Sequence, residues 1–160
     1  MAVHRLQFDE FDEIDYELIA IHTSLEDYRL AYFINQKLPI LLSKKNTNIT
    51  LNSKSGETHF SRFSFDDFEK ENYWNLIQNK NEISIKNSTD SQNLFSQASV
   101  EMTTKVYLIP ELKKVDFFLK IENSTIPTNE ITSKINKIKS ISAVYSVDSL
   151  LMKSKNNLIL

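Results

Sequence analysis

Leu108-Ile109-Pro110-Glu111-Leu112-Lys113-Lys114-Val115-Asp116-Phe117-Phe118-Leu119-Lys120-Ile121 joins two strand-like runs through a proline-led, charged connection. Lys105 to Ile109 and Val115 to Ile121 read as the arms of a β-hairpin with charged residues at its mouth. Proline cannot donate to a ladder and fixes its own φ, so Pro110 presets a turn that Glu111 then enters. Within Val115 to Ile121 the two-residue period places Val115, Phe117, Leu119 and Ile121 on one face. Asp116, Phe118 and Lys120 fall on the other. Asp116 is first on the outward face and close to the loop, where its carboxylate is expected to accept backbone N–H groups of the Pro110 to Lys114 turn. The functional alternative has Glu111, Asp116 and a neighbouring lysine, Lys113 or Lys114, lining a ligand site at the rim.

Outward from this stretch, Tyr16 to His22 is a compact apolar run that reads as a buried strand. Thr23 or Ser24 then caps a helix, because Glu26 and Asp27 stand at the spacing of a capping box. That helix is expected to reach Lys37, with Leu30, Ala31, Ile34 and Leu38 as its core stripe and Tyr28 and Tyr32 as the stripe's walls. Phe33 lies among polar neighbours, as a contact for a partner or as a ring packed under a loop. Pro39 stops the helix, and Ile40 to Ser43 starts a second strand. Lys44 to Gly56 reads as a loop or an edge hairpin. His59 to Phe65 alternates as one strand, with Phe60 or the pair Phe63 and Phe65 inward according to register. An acidic turn through Asp66, Asp67, Glu69 and Glu71 leads to a strand at Tyr73 to Ile77. Residues 79–104 are polar, anchored only by Ile83, Ile85, Leu94 and Phe95, and read as a short strand and a mobile loop. Pro127 opens a second helix with Ile131, Ile135 and Ile138 on one face, and Ile141 to Val147 is the last strand.

These elements predict an α+β fold for a single domain, 1–160: a two-layer sandwich of a mainly antiparallel sheet with two helices packed on one face. A ferredoxin-like arrangement is one layout within that class. At 160 residues, 41% hydrophobic and 25% charged, the composition argues for a folded chain. A chain of that length buries roughly 70% of its unfolded surface.

Several chemistries are excluded by composition. One glycine cannot build the dinucleotide fingerprint or a P-loop, and the lack of cysteine removes disulfides, thiol nucleophiles and Cys-containing zinc sites. His4, His22 and His59 form no local metal motif. No cofactor is expected. Net charge is −2, with nine basic against thirteen acidic residues in the first eighty, so no nucleic-acid partner is expected. The acid-rich run Asp9, Glu10, Asp12, Glu13 and Asp15 stands where a signal peptide needs a basic flank, and no apolar run approaches the roughly 20 residues that span a bilayer. A cytoplasmic location without a membrane partner is expected. His22, at a strand–helix junction near Glu26 and Asp27, is open to an acid/base role or to hydrogen bonding with helix-terminal groups. Leu158, Ile159 and Leu160 form an apolar tail that packs on its own domain or enters a partner's groove.

Ile109, Pro110, Glu111, Val115 and Asp116 carry a resemblance to the IPExxVDY family of small Bacteroidota proteins, which has no established biochemical role. Phe117 stands where that family has tyrosine, so the chain keeps the ring and lacks the hydroxyl, and packing is the simpler role. Asp27-Tyr28-Arg29-Leu30-Ala31 and Asn35 resemble the family's first helix. With no catalytic constellation in view, the expected function is a non-enzymatic protein-interaction or accessory module, acting on a protein partner or as a homodimer. Phe33, Phe118, Leu158, Ile159 and Leu160 are its candidate contacts. The alternatives are a small-molecule-binding regulatory domain with its site at the 110–116 mouth, and an enzyme using His22 or Glu111 and Asp116.

Overall fold

The unbroken apolar run in Tyr16–Thr23 follows from a strand that is buried on both faces. Ile19 and Ile21 enter one core, while Leu18 and Ala20 enter another on the opposite side. The computed structural model describes residues 16–86 and 101–160. The acid-rich run at 9–15, His4, and the anchors Leu94 and Phe95 lie outside the described residues.

In chain order the elements are β1 (Tyr16–Thr23), α1 (Asp27–Lys37), β2 (Ser43–Lys44), β3 (Ile49–Ser53), β4 (Gly56–Phe60), β5 (Arg62–Asp67) and β6 (Asn72–Gln78). Then come β7 (Lys80–Lys86), β8 (Glu101–Tyr107), β9 (Phe117–Glu122), α2 (Thr128–Asn136) and β10 (Ile141–Val147). Single 3₁₀ turns occupy Pro110–Leu112, Ser149–Leu151 and Lys155–Leu158.

The fold is α+β. A six-stranded sheet runs β10-β1-β9-β6-β5-β2 with every neighbouring pair antiparallel. Its strands β10, β1, β9 and β6 are the fourth, first, third and second of that set in chain order. Helix α1 precedes the second and α2 the fourth, which is the ferredoxin-like order with β2 to β5 inserted after α1. Both helices cover one face, where Leu30, Ala31, Ile34, Ile131, Ile135 and Ile138 meet Ile19, Ile21, Leu119 and Ile121.

The other face is also covered. Leu18, Ala20, Ile77 and Phe118 pack with Phe60, Val106, Leu108, Ile109, Met152 and Leu158, which come from β4, β8 and the two residues after it, and the final segment. The hairpins β3–β4 and β7–β8 are separate two-stranded sheets. A third layer therefore lies on the sheet opposite the helices.

This topology corrects the central hairpin. β8 pairs with β7, and β9 lies between β1 and β6, so the two arms belong to different sheets. Proline and the 3₁₀ turn move the chain from one layer to the next instead of reversing it in plane. The polar stretch 79–104 likewise supplies β7 and β8, with 87–100 outside the described residues. His59 to Phe65 is two strands, β4 and β5, broken at Ser61. Phe60 enters the layer opposite the helices while Phe63 enters the helix-side core, so both registers occur in succession. Gly56, at φ +121°, begins β4, a backbone conformation that L side chains rarely adopt.

The start of α1 also differs. Glu26 is the residue flanking the helix and no side chain caps it. Thr23 ends β1 instead, donating its hydroxyl to Ser140 O at 2.7 Å and accepting the Leu25 N–H at 3.1 Å. Tyr28 and Tyr32 are each 59% exposed and form no wall of the core, because only a narrow stripe of α1 meets the sheet.

Candidate functional site

The polar residues of the 109–116 motif meet three other segments. Pro110 opens the 3₁₀ turn, which points Glu111 toward the segment after β10. There Glu111 Oε1 accepts the Ser154 N–H at 2.7 Å and Oε2 the Ser154 hydroxyl at 2.9 Å. Desolvation acts to raise the Glu111 carboxyl, and the hydrogen bonds from Ser154 together with the backbone of Glu111 and Lys153 outweigh it, leaving the group below its ordinary value.

Asp116 lies one residue before β9 and turns away from its own loop. Its Oδ2 accepts the Thr23 N–H at 2.8 Å, and its Oδ1 receives Lys80 Nζ at 2.9 Å. The expected tie to the Pro110 to Lys114 turn is therefore replaced by ties to the end of β1 and the start of β7. The chain crosses between layers here, and the side chain of Asp116 bonds these strand ends instead of the backbone of its own turn.

The turn's backbone is held by a residue that sequence reasoning passed over. Asn79, fully buried between β6 and β7, donates its amide to Leu112 O at 3.0 Å and to Val115 O at 2.8 Å. Its Oδ1 accepts the Ile109 N–H at 2.8 Å. Its own backbone bonds Asp116 O and the Leu108 N–H. One side chain thus replaces the ladder that β8 and β9 never form. An asparagine in a polar stretch ordinarily signals a loop; the only local hint was its position two residues after the strand-like run Tyr73 to Ile77.

The final segment is pinned just as closely. Lys120, 5% exposed in the middle of the sheet, donates from Nζ to Leu158 O at 2.9 Å and lies 3.3 Å from Glu122 Oε1. The Tyr16 ring covers the same ammonium at 4.8 Å. Asn157 donates to Leu108 O at 2.8 Å.

An open groove of ≈ 470 Å³ runs beside the turn, with His22 and Tyr145 on one wall and Pro110 to Val115 on the other. His22 Nε2 is 2.8 Å from the Tyr145 hydroxyl, so the histidine pairs with β10 and not with helix-terminal groups. Asp116 does not line the groove. Among the described residues no group of three or more His, Asp or Glu side chains comes together as a metal site.

The remaining candidates separate by burial. Phe118 and Leu158 are fully enclosed opposite the helices, which removes them from the surface. Phe117 packs in the helix-side core, and Phe33 is half-buried against the same cluster. Ile109 and Val115 are core residues. Ile159 and Leu160 remain exposed. Asn35, one of the residues behind the family resemblance, exchanges two hydrogen bonds with the Leu42 backbone at 2.7 and 3.1 Å, tying the chain after α1 back to the helix.

Fold and site together define an α+β domain whose motif acids are each bonded to other segments of the same chain. No protein-family model, no curated protein and no solved structure matches the chain significantly. Among the described residues no helix is long and apolar enough to cross a membrane.

Proposed function

We propose that this protein is a non-enzymatic protein-interaction or accessory module, and that the IPExxVDY resemblance marks a folding element. One observation carries the reading: all four carboxylate oxygens of Glu111 and Asp116 already hold donors from the protein itself. An acid or base must be free to reach a substrate proton, and these groups are committed to other segments. The contact surface is the segment after β10. Met152 and Leu158 are buried anchors, while Leu150 at 68%, Leu151 at 82% and Ile159 at 67% face solvent from that pinned segment. A rigid display of apolar side chains loses little entropy when a partner covers it.

Affinity purification from native cells at low salt is the test. The wild type recovers a partner that the Leu150→Asp/Leu151→Asp variant loses. Recovery of the wild type alone, as a monomer, refutes the reading.

A second reading is favoured by the groove beside the turn, where an imidazole, a phenol and two lysines share one concavity. A small-molecule-binding regulatory domain would use it. The check is a ligand-induced thermal shift that disappears in Tyr145→Phe with the fold intact. Asp116→Ala is unsuited to this purpose, since Asp116 supports the fold and lies outside the groove.

A further inference from the structure

The six-stranded sheet ends differently at its two edges. β2 contributes two residues, Ser43 and Lys44, and Lys45 follows, so that edge is short and charged in the way sheets avoid edge-to-edge pairing. β10 contributes seven residues, and among the described residues it pairs with β1 alone. Its sequence, Ile141-Ser142-Ala143-Val144-Tyr145-Ser146-Val147, holds no charge and no proline. The register shift that skips Ser142 leaves Ala143 to Val147 in an uninterrupted ladder with β1. A regular, uncharged edge is a template for one more strand.

The sequence also says which strand. We infer that β10 pairs antiparallel with β10 of a second copy of this chain, about a two-fold axis at Val144. In that register Val144 meets Val144 and Ala143 meets Tyr145, both within the uninterrupted part of the strand, while Ser142, skipped by the register shift, and Ser146 lie at the ends of the contact. The two kinds of pair are β-branched with β-branched and small with large. Lys139 precedes the strand and Asp148 follows it, so antiparallel pairing sets the basic entry of each strand near the acidic exit of the other. A two-fold contact must be self-complementary, and this near-palindrome meets that condition. Two six-stranded sheets then become one continuous sheet. Tyr145 brings the axis to the rim of the His22 groove, so both grooves open beside the contact. This inference goes beyond the interaction reading: it adds a contact between copies of the chain at the β10 edge, separate from the Leu150 and Leu151 surface.

Sedimentation equilibrium of the purified full chain is the first test. The wild type is expected to be dimeric. Ser146→Lys, at an exposed position of the edge, is expected to be monomeric with an unchanged circular dichroism spectrum. Because the chain has no cysteine, Val144→Cys places a single thiol on the axis, where mild oxidation links it to its copy. Ser43→Cys, on the opposite edge, remains unlinked. A wild-type monomer at every accessible concentration overturns the inference. So does a dimer that Ser146→Lys leaves intact. Partner capture depends on Leu150 and Leu151 while sedimentation depends on β10, so failure of one is distinguishable from failure of the other.

Discussion

Thr23 donates its backbone N–H to Asp116 Oδ2 across 2.8 Å, joining the end of β1 to the residue that precedes β9. The same carboxylate holds Lys80 at the start of β7. Removing its charge and removing its acceptor are therefore different experiments.

Asp116→Asn keeps an oxygen for Thr23 and loses only the partly exposed ion pair, so a loss below about 1 kcal/mol is expected. Asp116→Ala leaves the buried Thr23 N–H without its acceptor, for a loss of about 1–3 kcal/mol. Urea denaturation of both variants separates the two. Equal losses would mean that the Thr23 bond contributes nothing.

Asn79→Ala strips three hydrogen bonds from a fully buried position and orphans Val115 O and the Ile109 N–H, while Leu112 O keeps the Val115 N–H. A loss of about 2–4 kcal/mol is expected, read as a lower urea midpoint at unchanged slope. Asn79→Asp is expected to be worse, since its carboxylate faces the same two carbonyl oxygens.

Glu111 gives a pH dependence of known sign. Its folded value lies below its unfolded one, so its contribution is fully present above the unfolded value and fades as pH falls through the folded value. Thermal melts from neutral to acid pH are expected to fall less steeply in Glu111→Gln than in the wild type. Parallel curves would show that the Ser154 clasp contributes no proton linkage.

Leu158 and Ile159 are adjacent and opposite in environment, fully buried and 67% exposed. Leu158→Ala is expected to cost about 2–5 kcal/mol and Ile159→Ala less than about 0.5 kcal/mol. Comparable losses would contradict the docking of this segment on the sheet.

Local periodicity made much of the fold legible. The limits of β10 at Ile141 and Val147, the α1 stripe, and the α2 face with Ile131, Ile135 and Ile138 could all be read from spacing. What could not be read is non-local. Alternation in Phe117 to Ile121 says which residues share a face, but not that Val115, which precedes β9, leaves that face for the opposite core, nor that Phe118 and Lys120 lie beneath another layer. Nor does alternation name a strand's partner, so adjacency in sequence suggested a β8–β9 pair that the sheets do not contain. In the site, the motif acids were visible as residue types while their partners, Thr23, Lys80 and Ser154, lie far away in sequence. Asn79 and Asn35 replace backbone partners with side-chain amides, and nothing in their local sequence distinguishes that from an ordinary loop asparagine.

The position of β1 has a consequence for how the chain is made. Ile21 pairs with Phe117 on one side and Val144 on the other, so both neighbours of this early strand are synthesised long after it. Until they leave the ribosome, β1 has no ladder to join and its Leu-Ile-Ala-Ile run stands uncovered. Chains that close through such distant contacts fold slowly, and their exposed strands invite aggregation in the meantime. Cotranslational protection of the nascent amino-terminal half, by a holding chaperone or by prompt completion of translation, is what this topology demands of the cell.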